Sequence, residues 1–173
     1  MGMFRSPYDR GGVLSAEAQQ ERKKIYQDAR AEEVRKREKL QLFLLYLAEI
    51  PPMLLPGFLA GAAVSHTALL LLPYALEVIC VITSGITLFQ YGRLGKEIHG
   101  MTYKSVILSL QMRVMLSFLG GGTFLVLQCI WMILHRRNLT GAEGAVLLAQ
   151  LIFTGVSTCF AKKVKQTVRN WTL

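Results

Sequence analysis

Four long apolar runs alternate with short polar stretches along the chain. They extend from Leu40 to Val64, from about Thr67 to Tyr91, from Ser105 to Leu134, and from about Ala142 to Ala161. A helix rising 1.5 Å per residue needs about 20 residues to cross a hydrocarbon core about 30 Å thick, so each run is long enough to span. Because lipid offers no partner to a backbone N–H or C=O, such segments must satisfy their own hydrogen bonds as helices. The pattern therefore predicts an all-α integral membrane protein with four transmembrane helices. Residues 1 to 14, with Gly2, Pro7, Gly11 and Gly12, read as irregular. Ser15 to Lys39 holds good helix formers without an apolar stripe; Ser15 is placed to cap, and Glu32–Lys36 and Glu33–Arg37 are favourable i,i+4 pairs. A charged, solvent-facing N-terminal helix is expected to lead into the first span. The organisation is thus 1–39, 40–64, 67–134 and 142–173.

Composition agrees with this class. Of the 173 residues 52% are hydrophobic, and mean hydropathy is positive at +0.36, which is too apolar for an ordinary soluble domain. The formal net charge of +9 would suggest nucleic acid in a soluble protein. Here the cations flank the apolar runs, where they set orientation or meet anionic head groups, so no nucleic-acid partner is expected. One side would carry Arg35, Lys36, Arg37 and Lys39, the loop with Arg93, Lys96 and Lys104, and the tail with Lys162, Lys163, Lys165 and Arg169. The other would carry a nearly bare turn at Ser65 and His66, and Arg136 with Arg137. The first side is richer, which places both termini on the cytosolic or matrix face. On that topology the sequons at Asn138 and Asn170 are accidental. No apolar h-region with a cleavage site opens the chain, so no secretory signal peptide is expected; the match of Gly2 and Ser6 to a myristoylation pattern is weak.

Polar groups inside apolar runs are the candidate chemistry. Pro51, Pro52 and Pro56 each remove a helix hydrogen bond, predicting a kink or unwound turn in the first span. Gly57 and Gly61 form a small-x-x-x-small pair suited to close helix contact. Arg113 costs roughly 2.5 to 3.5 kcal/mol at a helix centre on insertion scales, and a buried cation there calls for a partner. Glu49 and Arg113 both lie roughly 12 to 13 Å from the basic side at 1.5 Å per residue, so an ion pair across the first and third spans is expected. Glu77 is left without an evident partner. Arg93, Lys96 and Lys104 are candidates for an anionic-lipid contact, a cardiolipin head group among them, or else plain orientation signals.

The stretch from Thr83 to Ser117 resembles the hypoxia-induced domain of respiratory supercomplex factors. The resemblance covers residues 70 to 134 and rests on Thr83-Ser84-Gly85, on Arg93 and Gly95 of an Arg-Leu-Gly followed by Lys96, and on Gln111 and Arg113 entering a glycine-rich span. The family usually carries a histidine two positions before that arginine and a glutamine four after it, where this chain has Gln111 and Ser117. The resemblance implies two spans joined by a matrix loop in the mitochondrial inner membrane, with both termini on the matrix side. It further implies partnership with cytochrome c oxidase, and with the cytochrome b-c reductase, as a non-catalytic accessory or assembly factor.

Site chemistry points the same way. His66, His99 and His135 are scattered, and Cys80, Cys129 and Cys159 sit in apolar runs without C-x-x-C spacing, so neither a metal, another cofactor nor a disulfide framework is expected. No nucleophile elbow or phosphate loop is present, and Ser105, Ser109 and Ser117 read as helix-packing residues; no enzyme is expected. Two other classes stay open. A small transporter or ion-conducting protein would use the proline-bearing span with Glu49, and an endoplasmic-reticulum membrane subunit would keep the topology with another address.

Overall fold

The computed structural model describes residues 23–59, 67–134 and 141–172. It contains four helices long and apolar enough to cross a membrane: α1 (Glu32–Phe58), α2 (Ala68–Gly92), α3 (Gly100–Leu134) and α4 (Gly141–Arg169). Three short strands stand beside them: β1 (Ile25–Asp28), β2 (Glu97–His99) and β3 (Trp171–Thr172). Each helix packs on its neighbour in the order α1–α2–α3–α4, and α4 closes back on α1. The pairings are antiparallel: Tyr46 of α1 meets Gly85 of α2, Gly57 meets Tyr74, and Glu38 and Glu49 of α1 meet Thr167 and Ser157 of α4. An up-down-up-down bundle is the arrangement that short connections between long helices favour.

Apolar side chains cover the outside. Leu72, Phe58, Ile133 and Leu134 are more than 70% exposed, and further leucines or isoleucines are exposed on each of the four helices. Water would not tolerate this surface, whereas hydrocarbon does. The interior holds three apolar clusters. One, around Leu42, Tyr91, Val114 and Phe160, lies at the strand end; Met53, Val81 and Phe153 occupy the middle; Leu70, Phe124 and Val146 lie at the far end.

Glycines set how closely the helices approach. A Cβ on Gly120 would lie 3.4 Å from the backbone nitrogen of Glu77, and one on Gly121 would lie 2.6 Å from the ring of Phe153. Phe153 is fully buried and has nowhere to move. Gly121→Val is therefore expected to destabilise the bundle by about 1 to 3 kcal/mol through overpacking, read as a lower unfolding midpoint in mild detergent. An unchanged midpoint would mean a looser interior than this approach implies.

Two expectations about α1 need correction. A continuous charged helix from residue 15 to Lys39 does not form in the described part: Ile25–Asp28 is a strand, and helix begins at Glu32. The tertiary pairing of β1 overrides local helix propensity, and residues 32 to 39 are simply the first turns of span one, where Glu32 and Lys36 pair at 2.8 Å. Nor do the prolines unwind the first span, since Pro51, Pro52 and Pro56 all lie inside helix that runs on to Phe58. Neighbouring helices can supply partners where a proline has removed one. Apart from the prolines, the Tyr74 hydroxyl donates to the Met53 carbonyl at 3.1 Å, tying α2 to α1, and occupies the space a side chain at position 57 would need. The readings placed on residues 1 to 22, on Gly61, on Ser65 and His66, and on residues 135 to 140 lie outside the described residues.

The strands form one small antiparallel sheet in the order β2-β1-β3. Tyr26 stands opposite Ile98, and Asp28 opposite Trp171. A π-helical turn at Tyr103–Leu108, inside α3, presents Tyr103 to Tyr26, and their rings stack at 4.0 Å. Thus the segment before α1, the loop between α2 and α3, and the segment after α4 meet at one end of the bundle. This is the grouping that the charge count predicted.

Candidate functional site: buried carboxylates in the bundle

Polar side chains recur on α4 at seven-residue steps: Glu143, Gln150 and Ser157 are all buried. Seven residues make nearly two helical turns, so the three lie on one face and project into the bundle at steps of about 10 Å. Acids from other helices meet this face. Gln150 Nε2 donates to both oxygens of Glu77, at 3.3 and 3.1 Å, and Ser157 Oγ donates to Glu49 Oε1 at 2.6 Å. Within the apolar cluster at the strand end, between Val164 and Trp171, Thr167 Oγ1 donates to Glu38 Oε1 at 2.8 Å. Carboxyl groups on α4, α2 and α1 therefore mark successive levels from one end of the bundle to the other.

Glu49 and Arg113 do not pair. Glu49 turns to α4, whereas Arg113 Nη1 donates to the Thr83 carbonyl at 2.7 Å and to the Thr87 hydroxyl, both on α2. A residue count from the basic side does not fix azimuth. In the ring of four helices α1 and α3 lie diagonally opposite, and the arginine finds its acceptors on an adjacent helix instead. Glu77, expected to lack a partner, has Gln150. Ser84 Oγ, Ser117 Oγ and Gln128 Oε1 are buried with no hydrogen-bond partner among the described residues.

A second polar cluster closes the strand end. Arg30 donates to Asp28 through Nε at 2.9 Å and Nη2 at 2.7 Å, and to Glu38 through both terminal nitrogens. Glu38 also accepts from the Tyr91 hydroxyl at 3.3 Å. One carboxylate thus joins the N-terminal segment, α1, α2 and α4. Both acids are buried, Asp28 at 1% and Glu38 at 5% exposure, so the bonds operate where water screens little. Lys39 Nζ donates to the Gly92 and Leu94 carbonyls at 3.0 and 2.8 Å, capping the C-terminus of α2.

The cluster carries a pH dependence. Burial pushes the Asp28 carboxyl up, but hydrogen bonds from the Arg30 side chain and backbone N–H, with the charges of Arg30 and Arg35, outweigh it and hold the group below the usual carboxylate range. Its contribution is present above the unfolded-state pKa and is lost as pH falls through the lower folded value. Acidification below about pH 4 is thus expected to release β1, read as faster hydrogen exchange at Ile25–Asp28 ahead of the spans.

The remaining sequence-predicted residues are dispersed. Arg93 lies over the Phe89 ring at 4.2 Å, Gly95 is in open space, and Gln111 is half-buried on α3. The backbone of Lys96 pairs with Asp28, and the exposed Lys104 sits in the π-helical turn. The family-motif positions therefore share no single site. Among the described residues no three His, Cys, Asp or Glu side chains gather at metal-holding distance. Compared with protein-family models, with curated proteins and with solved structures, the chain matches none of them. The acceptors of Arg113 and the donors to Glu49 and Glu77 went unread in the sequence. The seven-residue recurrence of Glu143, Gln150 and Ser157 inside an apolar run was the available signal.

Proposed function

We propose that this chain is a non-catalytic accessory subunit or assembly factor of a respiratory membrane complex, associated with cytochrome c oxidase. In this reading it lies in the mitochondrial inner membrane, with the strand end and both termini toward the matrix. The observation that carries it is a bundle closed within and apolar without. Phe124, Phe153 and Phe160 are fully buried along the bundle, and each interior carboxylate of the central levels is engaged by a neighbouring helix. Such a protein acts through the surfaces it offers: apolar helix faces in the bilayer and a basic end outside it. Arg35, Lys36, Arg37, Arg93, Lys96, Lys162 and Arg169 all belong to that end, which supports its placement on the cytosolic or matrix side. The resemblance over residues 70 to 134 supplies the complex and the compartment. Native electrophoresis of tagged protein in mild detergent tests both, with comigration with oxidase activity as the expected result. Migration as a free species, or with an endoplasmic-reticulum complex, would overturn the assignment.

A second reading, a proton- or cation-handling membrane protein, is favoured by one specific observation. Glu49 and Glu77 are buried against neutral donors only, with unpartnered Ser84 and Ser117 hydroxyls on the adjoining interior faces. Intramembrane acids without a counter-charge commonly mark ion sites. Flux in liposomes that is lost in Glu77→Leu would establish it.

A further inference from the structure

We propose that the groove between α1 and α2 at the strand end holds one anionic phospholipid, with its phosphate at the rim and an acyl chain along the wall. This rests on the membrane-spanning reading and not on any partner complex. The groove encloses about 330 Å³, and its lining includes Lys39, Phe43, Leu88, Phe89 and Arg93. That volume is at the low end for a small-molecule site, enough for part of a chain and its ester. Three features select the occupant. Lys39 and Arg93 bracket the boundary where apolar sequence gives way to polar sequence on both helices, the depth of a phosphate in a bilayer. Among the described residues no acidic side chain lines the groove. Finally, the two cations are held in place. Lys39 is anchored on the Gly92 and Leu94 carbonyls and keeps a third N–H, while Arg93 rests on the face of Phe89 with no acceptor for its guanidinium among the described residues. A stationary guanidinium with open donors suits a phosphodiester, which accepts two parallel N–H bonds.

The wall is as selective as the rim. Phe43 and Phe89 are about half to two-thirds exposed, and in lipid their outer faces meet acyl chains. Lys96 and Lys104, expected from the sequence to share such a contact, do not line the groove; Lys39 from the preceding span takes their place.

The test uses the full chain purified in mild detergent, supplied with phosphatidylglycerol, phosphatidylcholine or inorganic phosphate, and examined by native mass spectrometry. One retained phosphatidylglycerol per chain is expected, with phosphatidylcholine retained less. Arg93→Gln should reduce retention by at least about fivefold, the scale of one cation–phosphate contact at a membrane surface. The Arg93 side chain makes no hydrogen bond to the described residues, and its backbone N–H to the Gln90 carbonyl is untouched by the substitution, so this variant leaves the fold intact, which its unfolding midpoint checks. Phe89→Ala should also lower retention by freeing the guanidinium and opening the wall. Equal retention of the two lipids, or equal retention by wild type and Arg93→Gln, would overturn the proposal. So would displacement by inorganic phosphate, which would reveal an anion site with no role for the chain.

Discussion

Replacing Arg30 with alanine is expected to unfasten the N-terminal strand while the four spans stay packed. The substitution strands two carboxylates, Asp28 and Glu38, that are almost wholly buried and share this one guanidinium. Removing one partner of a buried ion pair commonly costs 3 to 5 kcal/mol; since the Arg30 side chain is itself 23% exposed, about 3 kcal/mol is the apt figure. Hydrogen exchange reads this directly, because about 3 kcal/mol corresponds to roughly a hundredfold loss of protection at Ile25–Asp28. Replacing all three groups together, Asp28→Asn, Arg30→Leu and Glu38→Gln, should recover most of that loss, since no unpaired charge remains. Unchanged protection in Arg30→Ala would mean that the strand is held by its backbone ladder and the Tyr26–Tyr103 stack alone.

The second large effect is expected at Gln150. Gln150→Leu removes both donors to Glu77, whose carboxyl lies fully buried between α2, α3 and α4, and should cost about 3 kcal/mol of bundle stability. The pair Glu77→Leu with Gln150→Leu should return to within about 1 kcal/mol of wild type, because two apolar side chains of similar volume satisfy each other. Unfolding midpoints in detergent, compared around the full mutant cycle, measure the coupling. The same double variant separates the two functional readings. If the bundle serves as a packing element, the variant still comigrates with its complex; if Glu77 carries ions, the folded variant loses flux.

The existence, number and order of the spans were legible because lipid imposes a long, uninterrupted apolar signal. Even the common end of the N-terminal segment, the basic loop and the tail could be read, since lysines and arginines bias orientation. What hid was azimuth. Counting along each run gives Glu49 and Arg113 similar distances from the basic side, yet which helix each faces depends on how the four rods are arranged around their axis, and a single run does not encode that. The residues from 25 to 28 illustrate another limit. Ile25, Tyr26, Gln27 and Asp28 are flanked by helix-forming charges, and their strand depends on partners about 70 and 145 residues further along the chain. The unwound turn that the prolines offered as one outcome does not form, as local rules identify the missing N–H groups but not whether the rest of the helix holds through them. By contrast, the recurrence of Glu143, Gln150 and Ser157 was present in the local sequence.

The small sheet also bears on how the protein comes to be inserted correctly. β1 and β2 can meet once two spans are in place, but β3 and Thr167 arrive only after the fourth has crossed. Were any one span to fail or enter backwards, the three strands would emerge on opposite faces of the bilayer, and the ladder could never assemble. A wrongly threaded molecule would then carry an open strand edge, and Glu38 would keep Arg30 but lose a donor from a distant helix, whereas a correctly threaded copy closes both.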